Sequence, residues 1–465
     1  MNTLTDGQFQ QLKSQIRGTV LQADDAGYDA ARAVWNAMID RRPALVVRCA
    51  GTADVRAAIR HARANRLPLA VRGGGHNIAG SALCDDGLVI DLSGMRSVQI
   101  DPDGQRAWVE GGATLRDFDH EAQAYGLATP LGINSTTGVA GLTLGGGFGW
   151  LSRTLGLAAD NLVAAEVVTA DAERLLASET EHPDLFWAIR GGGGNFGVVT
   201  RFQFRLHPVG PEVTAGLIVF PSDQARTVLR QYRNAVDTMP DDMTVWAVLR
   251  KAPPLPFLAQ EVHGQDVLVL PLFSPSRGGA IEAAIERMAN LGTPLGMHVG
   301  PMPYTAWQQA FDPLLTPGAR NYWKSHNFAK LSDEAIEVVL RYAGMLPTSQ
   351  CEIFLGLLGA EASRPGPQAT AYPHRDALYV MNVHTRWDDA TDDARCIAWA
   401  RDFFRDAAPY ASGGVYVNFM PQDESERSLD AYGANYGRLA RIKAQYDPDN
   451  LFHANQNIQP AGAGA

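Results

Sequence analysis

Apolar and polar positions alternate in two styles along the chain. Residues 44–49 are apolar and β-branched and predict a strand. Beyond them Val55, Ile59 and Ala62 share one helix face, with Thr52 as its cap. Residues 67–71 predict a second buried strand that runs into a glycine turn. Short strands follow at 87–92, 97–101 and 106–110. A helix then starts at Thr114, carries Leu115, Phe118 and Ala122 on one face, and stops near Gly126. Phe202, Phe204 and Leu206 alternate as a strand, and residues 207–211 read as a linker. Past it the pattern changes to alternating strands at 213–220, 243–249, 265–272, 351–358 and 377–387. Helices are expected at 222–239, 279–291 and 390–404, and glycine clusters are absent. The tail predicts an acidic loop and a helix over 429–446. These elements predict an α+β protein whose second half is an antiparallel sheet with helices on it.

Three segments break the periodicity with glycine. The first is Arg72-Gly73-Gly74-Gly75-His76-Asn77-Ile78-Ala79-Gly80. The second, 131–150, includes Gly132, Asn134, Thr136, Thr137, Gly138, Gly141, Gly145, Gly146 and Gly149. The third runs from Arg190 through Gly194, Asn195 and Gly197 into Val198 and Val199. Each glycine in a helix interior costs about 1 kcal/mol relative to alanine, so these runs are there for close backbone approach. Consecutive glycines can turn several N–H groups toward one anion. No Lys-Ser/Thr pair follows the first run, and residues 81–86 lack a helical period, so it is not a P-loop. Taken singly, the first segment is equally a tight turn backed by a core histidine, and the second a close packing of helix on sheet. Together, three glycine loops each beside a strand fit one long, flat, phosphate-bearing ligand.

Composition narrows the classes. The 465 residues are 46% hydrophobic, ample for two or three cores. A net charge of −10 argues against nucleic acid as a partner. Cys49, Cys84, Cys351 and Cys396 have no metal or redox spacing and are expected as buried thiols. No apolar run reaches the length of a membrane span, and residues 1–15 lack a signal core, so a cytoplasmic protein is the expectation. A Gly-x-Ser-x-Gly elbow, a zinc helix and paired zinc cysteines are all missing, so hydrolase and metalloenzyme chemistry has no support. His384 and His453 are expected to be structural rather than metal ligands.

Arg72 to His76 resembles the flavin-attachment segment of the berberine-bridge-enzyme-like group of vanillyl-alcohol-oxidase type flavoproteins, and the other two loops match that group's FAD-binding domain. The resemblance implies FAD bonded through the 8α carbon to His76. It assigns the cofactor to the three glycine loops together with Asn161, Asn418 and Asn455. Tyr416-Val417-Asn418 and the segment 447–458 resemble the group's C-terminal signature, which implies that 408–465 returns to the first domain, 1–207, around a substrate domain at 212–407. The resemblance places Tyr416 over the flavin as the catalytic base, with Asn418 beside it. A tyrosine base needs a nearby cation or donor, and Lys324 is the candidate. Tyr379 and Asn382 are expected substrate contacts on a strand where plant members often carry lysine and glutamine. Two departures matter. Asn134 stands where many relatives have a cysteine bonded to flavin C6, which implies a single linkage. Thr137 stands where valine or leucine usually governs oxygen access. The implied activity is oxidation of a small alcohol, amine, phenolic or sugar by hydride transfer to flavin N5, with O₂ as acceptor. A dehydrogenase with another acceptor and a non-catalytic flavin-binding protein are the alternatives.

Overall fold

The computed structural model describes residues 6–462; residues 1–5 and 463–465, the outer ends of the first and last expected parts, lie outside it. The first half builds two sheets. Leu45–Arg48, Leu88–Asp91 and Leu69–Arg72 run parallel, with Thr19–Leu21 added antiparallel at one edge. The crossover between the two outer parallel strands is the helix Thr52–Asn65, which buries Val55, Ile59 and Ala62. Thr52 is its first helical residue rather than its cap. The buried Asp54 carboxylate instead gathers the N–H groups of Arg17, Gly18 and Ala50. The second sheet is antiparallel, in the order Val98–Asp101, Arg106–Glu110, Val198–Arg205, Leu162–Val168, Arg174–Ser178. Helix Leu115–Gln123 begins in a capping box between Thr114 and Asp117.

The expected linker is tied down: His207–Pro208 pairs with Leu127–Ala128. Beyond it lies an eight-stranded antiparallel sheet. Its path is Gly296–Pro303, Glu212–Pro221, Asp266–Ser274, Ala247–Lys251, Glu352–Leu357, Tyr379–Trp387 and Arg320–Phe328, and Thr244–Val245 pairs beside Asp266–Ser274. Helices Ala225–Val236, Gly279–Ala289, Asp333–Ala343 and Asp393–Ala407 cover it. Two of these strands escaped the sequence reading. Gly296–Pro303 is a half-exposed edge with two glycines and two prolines, and Arg320–Phe328 carries Asn321, Lys324, Ser325, His326 and Asn327. The tail helix is broken by Gly433 into Ser428–Tyr432 and Tyr436–Tyr446. The α+β architecture with a helix-covered antiparallel sheet is thus present as expected.

Candidate active site

The glycine loops meet backbone to backbone. A Cβ on Gly74 would lie 2.4 Å from Gly138 N, and one on Gly138 would lie 2.4 Å from Gly74 N, so neither position admits a side chain. Gly193 N–H donates to Leu144 O at 2.9 Å and joins the third loop to the second. A long cavity opens along these contacts, with about 1910 Å³ of empty space counting its mouth. A Cβ on Gly141 or Gly194, both in the cavity wall, would meet no protein atom within 4 Å. The bare backbone there faces space rather than packing, which fits a flat ligand laid against it.

His76 stands at one side of this cavity. The Trp35 indole stacks on it at 5.2 Å and 20°, and the backbone N–H of Trp35 donates to Gly75 O. His76 Nε2 lies 2.9 Å from Thr136 Oγ1. Burial pushes the imidazole down to about 4, against the opposing pull of Asp312 and the Thr136 backbone, so the ring is neutral. A neutral imidazole has a lone pair to offer an electrophile.

The opposite wall is one face of the eight-stranded sheet. Residues directly opposite on paired strands share a face. Trp323 pairs with His384, His384 with Glu352, and Phe354 with Asn382; all five side chains line the cavity. His384 Nδ1 is 3.1 Å from Glu352 Oε1, and Arg250 donates to Glu352 Oε2 at 2.7 Å. Burial pushes the Glu352 carboxyl up, but Arg250 and His384 outweigh it and hold the group at about 2. Glu352 is therefore ionised and accepts only, so Nδ1 carries the histidine proton. Nε2 is buried with no partner among the described residues. Tyr416 closes this side between Phe148 and Phe419. Asn418 Nδ2 donates to its hydroxyl at 2.9 Å and to Leu142 O at 3.1 Å. Burial pushes the phenol up to about 12, although Asn418 and the N–H groups of Gly147 and Phe148 pull it down.

Many of the expected residues do line the cavity. From the first two glycine loops they are Gly73, Gly74, Gly75, His76 and Asn77, then Gly132, Asn134, Thr137, Gly138 and Gly141. Gly194, Gly197, Val198 and Val199 follow from the third loop, and Asn418, Asn455, Tyr416 and Asn382 complete the set. Others do not. Arg72 reaches away to Ala31 O, and Gly80 packs on Ile39. Gly145, Gly146 and Gly149 pack on Asn418, Tyr372 and Leu131. Thr136 reaches the site only through His76. Asn161 holds His207, Leu155 O and Leu157 O, and Asn195 ties Gly192 O to the tail at Gln456 O and Ile458 N. Lys324 pairs with Val383 and points to the helix side, where Glu424 and Asp423 neutralise it at 2.9 and 3.4 Å; it is not the cation for Tyr416. Tyr379 faces the same way, with its ring 6.3 Å from Tyr232. Trp35, Trp323, Glu352, Phe354 and His384 were missed. For Glu352 the signal was a carboxylate heading the otherwise apolar run 351–358. Among the described residues no cluster of three or more His, Cys, Asp or Glu could hold a metal ion, and no helix is long and apolar enough to cross a membrane.

Comparison with known proteins agrees with this geometry. An FAD binding domain family matches residues 43–178, and a berberine and berberine like family matches residues 415–459. The chain is 32% identical over 467 residues to (R)-6-hydroxynicotine oxidase of Paenarthrobacter nicotinovorans, spanning 96% of this chain and 98% of that protein. The crystal structure of 6-hydroxy-D-nicotine oxidase from Arthrobacter nicotinovorans superposes with a TM-score of 0.86 at 28% identity, over 96% of this chain and 98% of that one. Xylooligosaccharide oxidase from Myceliophthora thermophila, in complex with xylobiose, superposes with a TM-score of 0.84 at 26% identity, over 98% of this chain and 100% of that one. With these two families at its ends and relatives along its whole length, the chain belongs to the berberine-bridge-enzyme-like family of FAD-linked oxidoreductases.

Proposed function

We propose that this chain carries FAD bonded through His76, oxidises a small alcohol, amine, phenolic or sugar, and returns the electrons to O₂ as hydrogen peroxide. One observation carries the reading. His76 with the glycine loops and Tyr416 with Asn382, His384 and Glu352 line the same cavity, so cofactor and substrate meet between them. In this reading the insert 212–407 supplies the substrate wall, and 1–207 with 408–465 supplies the cofactor wall. Bound FAD provides the two-electron acceptor; the protein provides placement, charge and a base. Relatives named as oxidases of 6-hydroxynicotine and of xylooligosaccharides support the oxidase class. Thr137 lines the cavity, and in this reading its hydroxyl alters the approach of oxygen to the flavin without closing it.

Two groups are placed to take the substrate proton. Tyr416 is the first: burial holds its phenol above the ordinary value, and Asn418 with two backbone N–H groups offsets part of that by favouring the phenolate. The second is favoured by the His384–Glu352 contact. Glu352 fixes the proton on Nδ1 and leaves a basic lone pair on Nε2, and it stabilises the imidazolium that forms.

The test is the fate of the flavin. Acid-precipitated protein is expected to stay yellow and to yield a flavin peptide containing His76, with no bond at Asn134. Photoreduced enzyme is expected to reoxidise in air and release hydrogen peroxide. Flavin that stays bleached in air and recovers on adding a quinone would move the assignment to a dehydrogenase.

A further inference from the structure

The hydrogen bonds behind His76 determine which of its nitrogens is free. Thr136 N–H and Thr136 Oγ1 both face Asn134 Oδ1, at 3.0 and 2.6 Å. A backbone N–H can only donate, so the atom opposite it must be the amide oxygen and not the amide nitrogen. That oxygen only accepts, and the single hydroxyl proton of Thr136 is therefore spent on Asn134. Thr136 Oγ1 has only lone pairs left for His76 Nε2, 2.9 Å away, so the imidazole proton sits on Nε2. In the neutral ring the available lone pair is then on Nδ1. The arrangement is held from outside as well. Asp312 accepts from Ser135 N–H at 2.9 Å and pins the loop between Asn134 and Thr136, and Trp35 stacks on the imidazole face.

We propose that Thr136, oriented by Asn134, is the positioning residue that makes Nδ1 of His76 the nitrogen that bonds the flavin. This rests on the reading of His76 as the attachment point. Attachment breaks one C–H bond of the flavin 8α-methyl group and forms one Nδ1–C bond. The methyl proton, the Nε2 proton and two electrons pass to the flavin ring system, and dioxygen or another two-electron acceptor then removes them. As Nδ1 bonds, positive charge grows on the imidazole and the Nε2–H···Oγ1 bond strengthens until the proton leaves. Asn134 thus occupies the place of a second covalent link and serves the first one instead.

The test uses the full chain, loaded with FAD, with the acid-stable flavin fraction followed in time. Thr136→Val removes the hydroxyl oxygen that accepts from Nε2–H, leaving only the weaker pull of the residue's backbone, and is expected to slow attachment about tenfold or more. Thr136→Ser restores the oxygen and is expected to attach at close to the wild-type rate. Asn134→Ala keeps the hydroxyl but frees its proton to donate to Nε2, which favours the wrong tautomer, so attachment slows there too. NMR of the wild-type flavin peptide is expected to show an Nδ1–C8α bond. Attachment at the wild-type rate in either Thr136→Val or Asn134→Ala, or an Nε2 bond in the wild-type peptide, overturns the positioning role and leaves the His76 reading standing. Wild-type protein that releases all its FAD into acid overturns both.

Discussion

Tyr416 and His384 approach the same cavity from the tail and from the sheet, and only one of them need accept the substrate proton. Loss of a general base costs about 10²- to 10⁴-fold in the proton-transfer step. If Tyr416 is the base, Tyr416→Phe lowers the rate of anaerobic flavin reduction by at least about 10² while flavin content and melting temperature barely move. If the His384–Glu352 pair is the base, His384→Gln shows that loss and Tyr416→Phe stays within about threefold, too small for a base. Stopped-flow bleaching at saturating substrate, run on both variants, assigns the role. What the sequence disclosed at this scale follows from contiguity. His76 lies behind its own glycines, and Tyr416 and Asn418 are two residues apart, so their signatures survive in one dimension. Glu352 and His384 become neighbours only when two strands pair across a 32-residue separation, and nothing local announces it. Lys324 and Tyr379 failed for a related reason. In a strand buried on both faces every residue reads as interior, and only the register tells which side chains look into the cavity.

At the scale of elements, the glycine loops divide into positions that meet protein and positions that meet space. The Gly74–Gly138 contact joins two loops at distances no Cβ tolerates. Gly138→Ala is expected to force the loops apart, at about 1–3 kcal/mol, and to lower the melting temperature of the protein with and without FAD. Gly141 lies in the short helix Val139–Leu144 with open space before it. Gly141→Ala is expected to leave the flavin-free protein as stable as wild type or slightly more so, because alanine favours helix by about 1 kcal/mol. The new methyl would nonetheless stand in the cavity, so FAD loading should fall. Melting curves of apo and loaded forms check both, and a loaded Gly141→Ala protein indistinguishable from wild type would place the cofactor elsewhere. Composition showed that the loops exist to bring backbones close, but which close approach is to protein and which to ligand depends on the fold. The break at Gly433 and the polar strand Arg320–Phe328 were hidden likewise: packing overrides periodicity where a strand carries polar residues into the interior.

Across the whole molecule, the wall built from residues 1–207 and the wall built from residues 212–407 are clamped together by polar contacts from one to the other. Arg375 makes a two-pronged contact with Asp160, at 2.8 and 2.7 Å, and Asp312 reaches back to Ser135 and Arg116. A third contact joins helix Leu115–Gln123 to helix Tyr304–Gln308. Gln308 Nε2 donates to Asp119 Oδ2 at 3.1 Å, while Asp119 Oδ1 and Gln308 Oε1 are both buried without partners among the described residues. A proton on Asp119 Oδ1 would close this into a paired acid and amide. Burial pushes the Asp119 carboxyl up to about 7, and the single bond from Gln308 lowers it only in part. Folding thus raises this pKa from an ordinary value of about 3.9. The stability of the neutral acid is fully present below about pH 4, declines as pH rises toward 7, and is lost above it. A shift of about three units corresponds to roughly 4 kcal/mol. Asp119→Asn cannot titrate, and its amide satisfies both orphaned atoms at every pH. The variant is expected to match wild type near pH 4 and to exceed it progressively up to about pH 8. The difference in unfolding free energy between the two proteins isolates this one group from every other titration. A difference that stays flat from pH 5 to 8 would mean that Asp119 is ionised throughout and that water reaches the seam between the two walls.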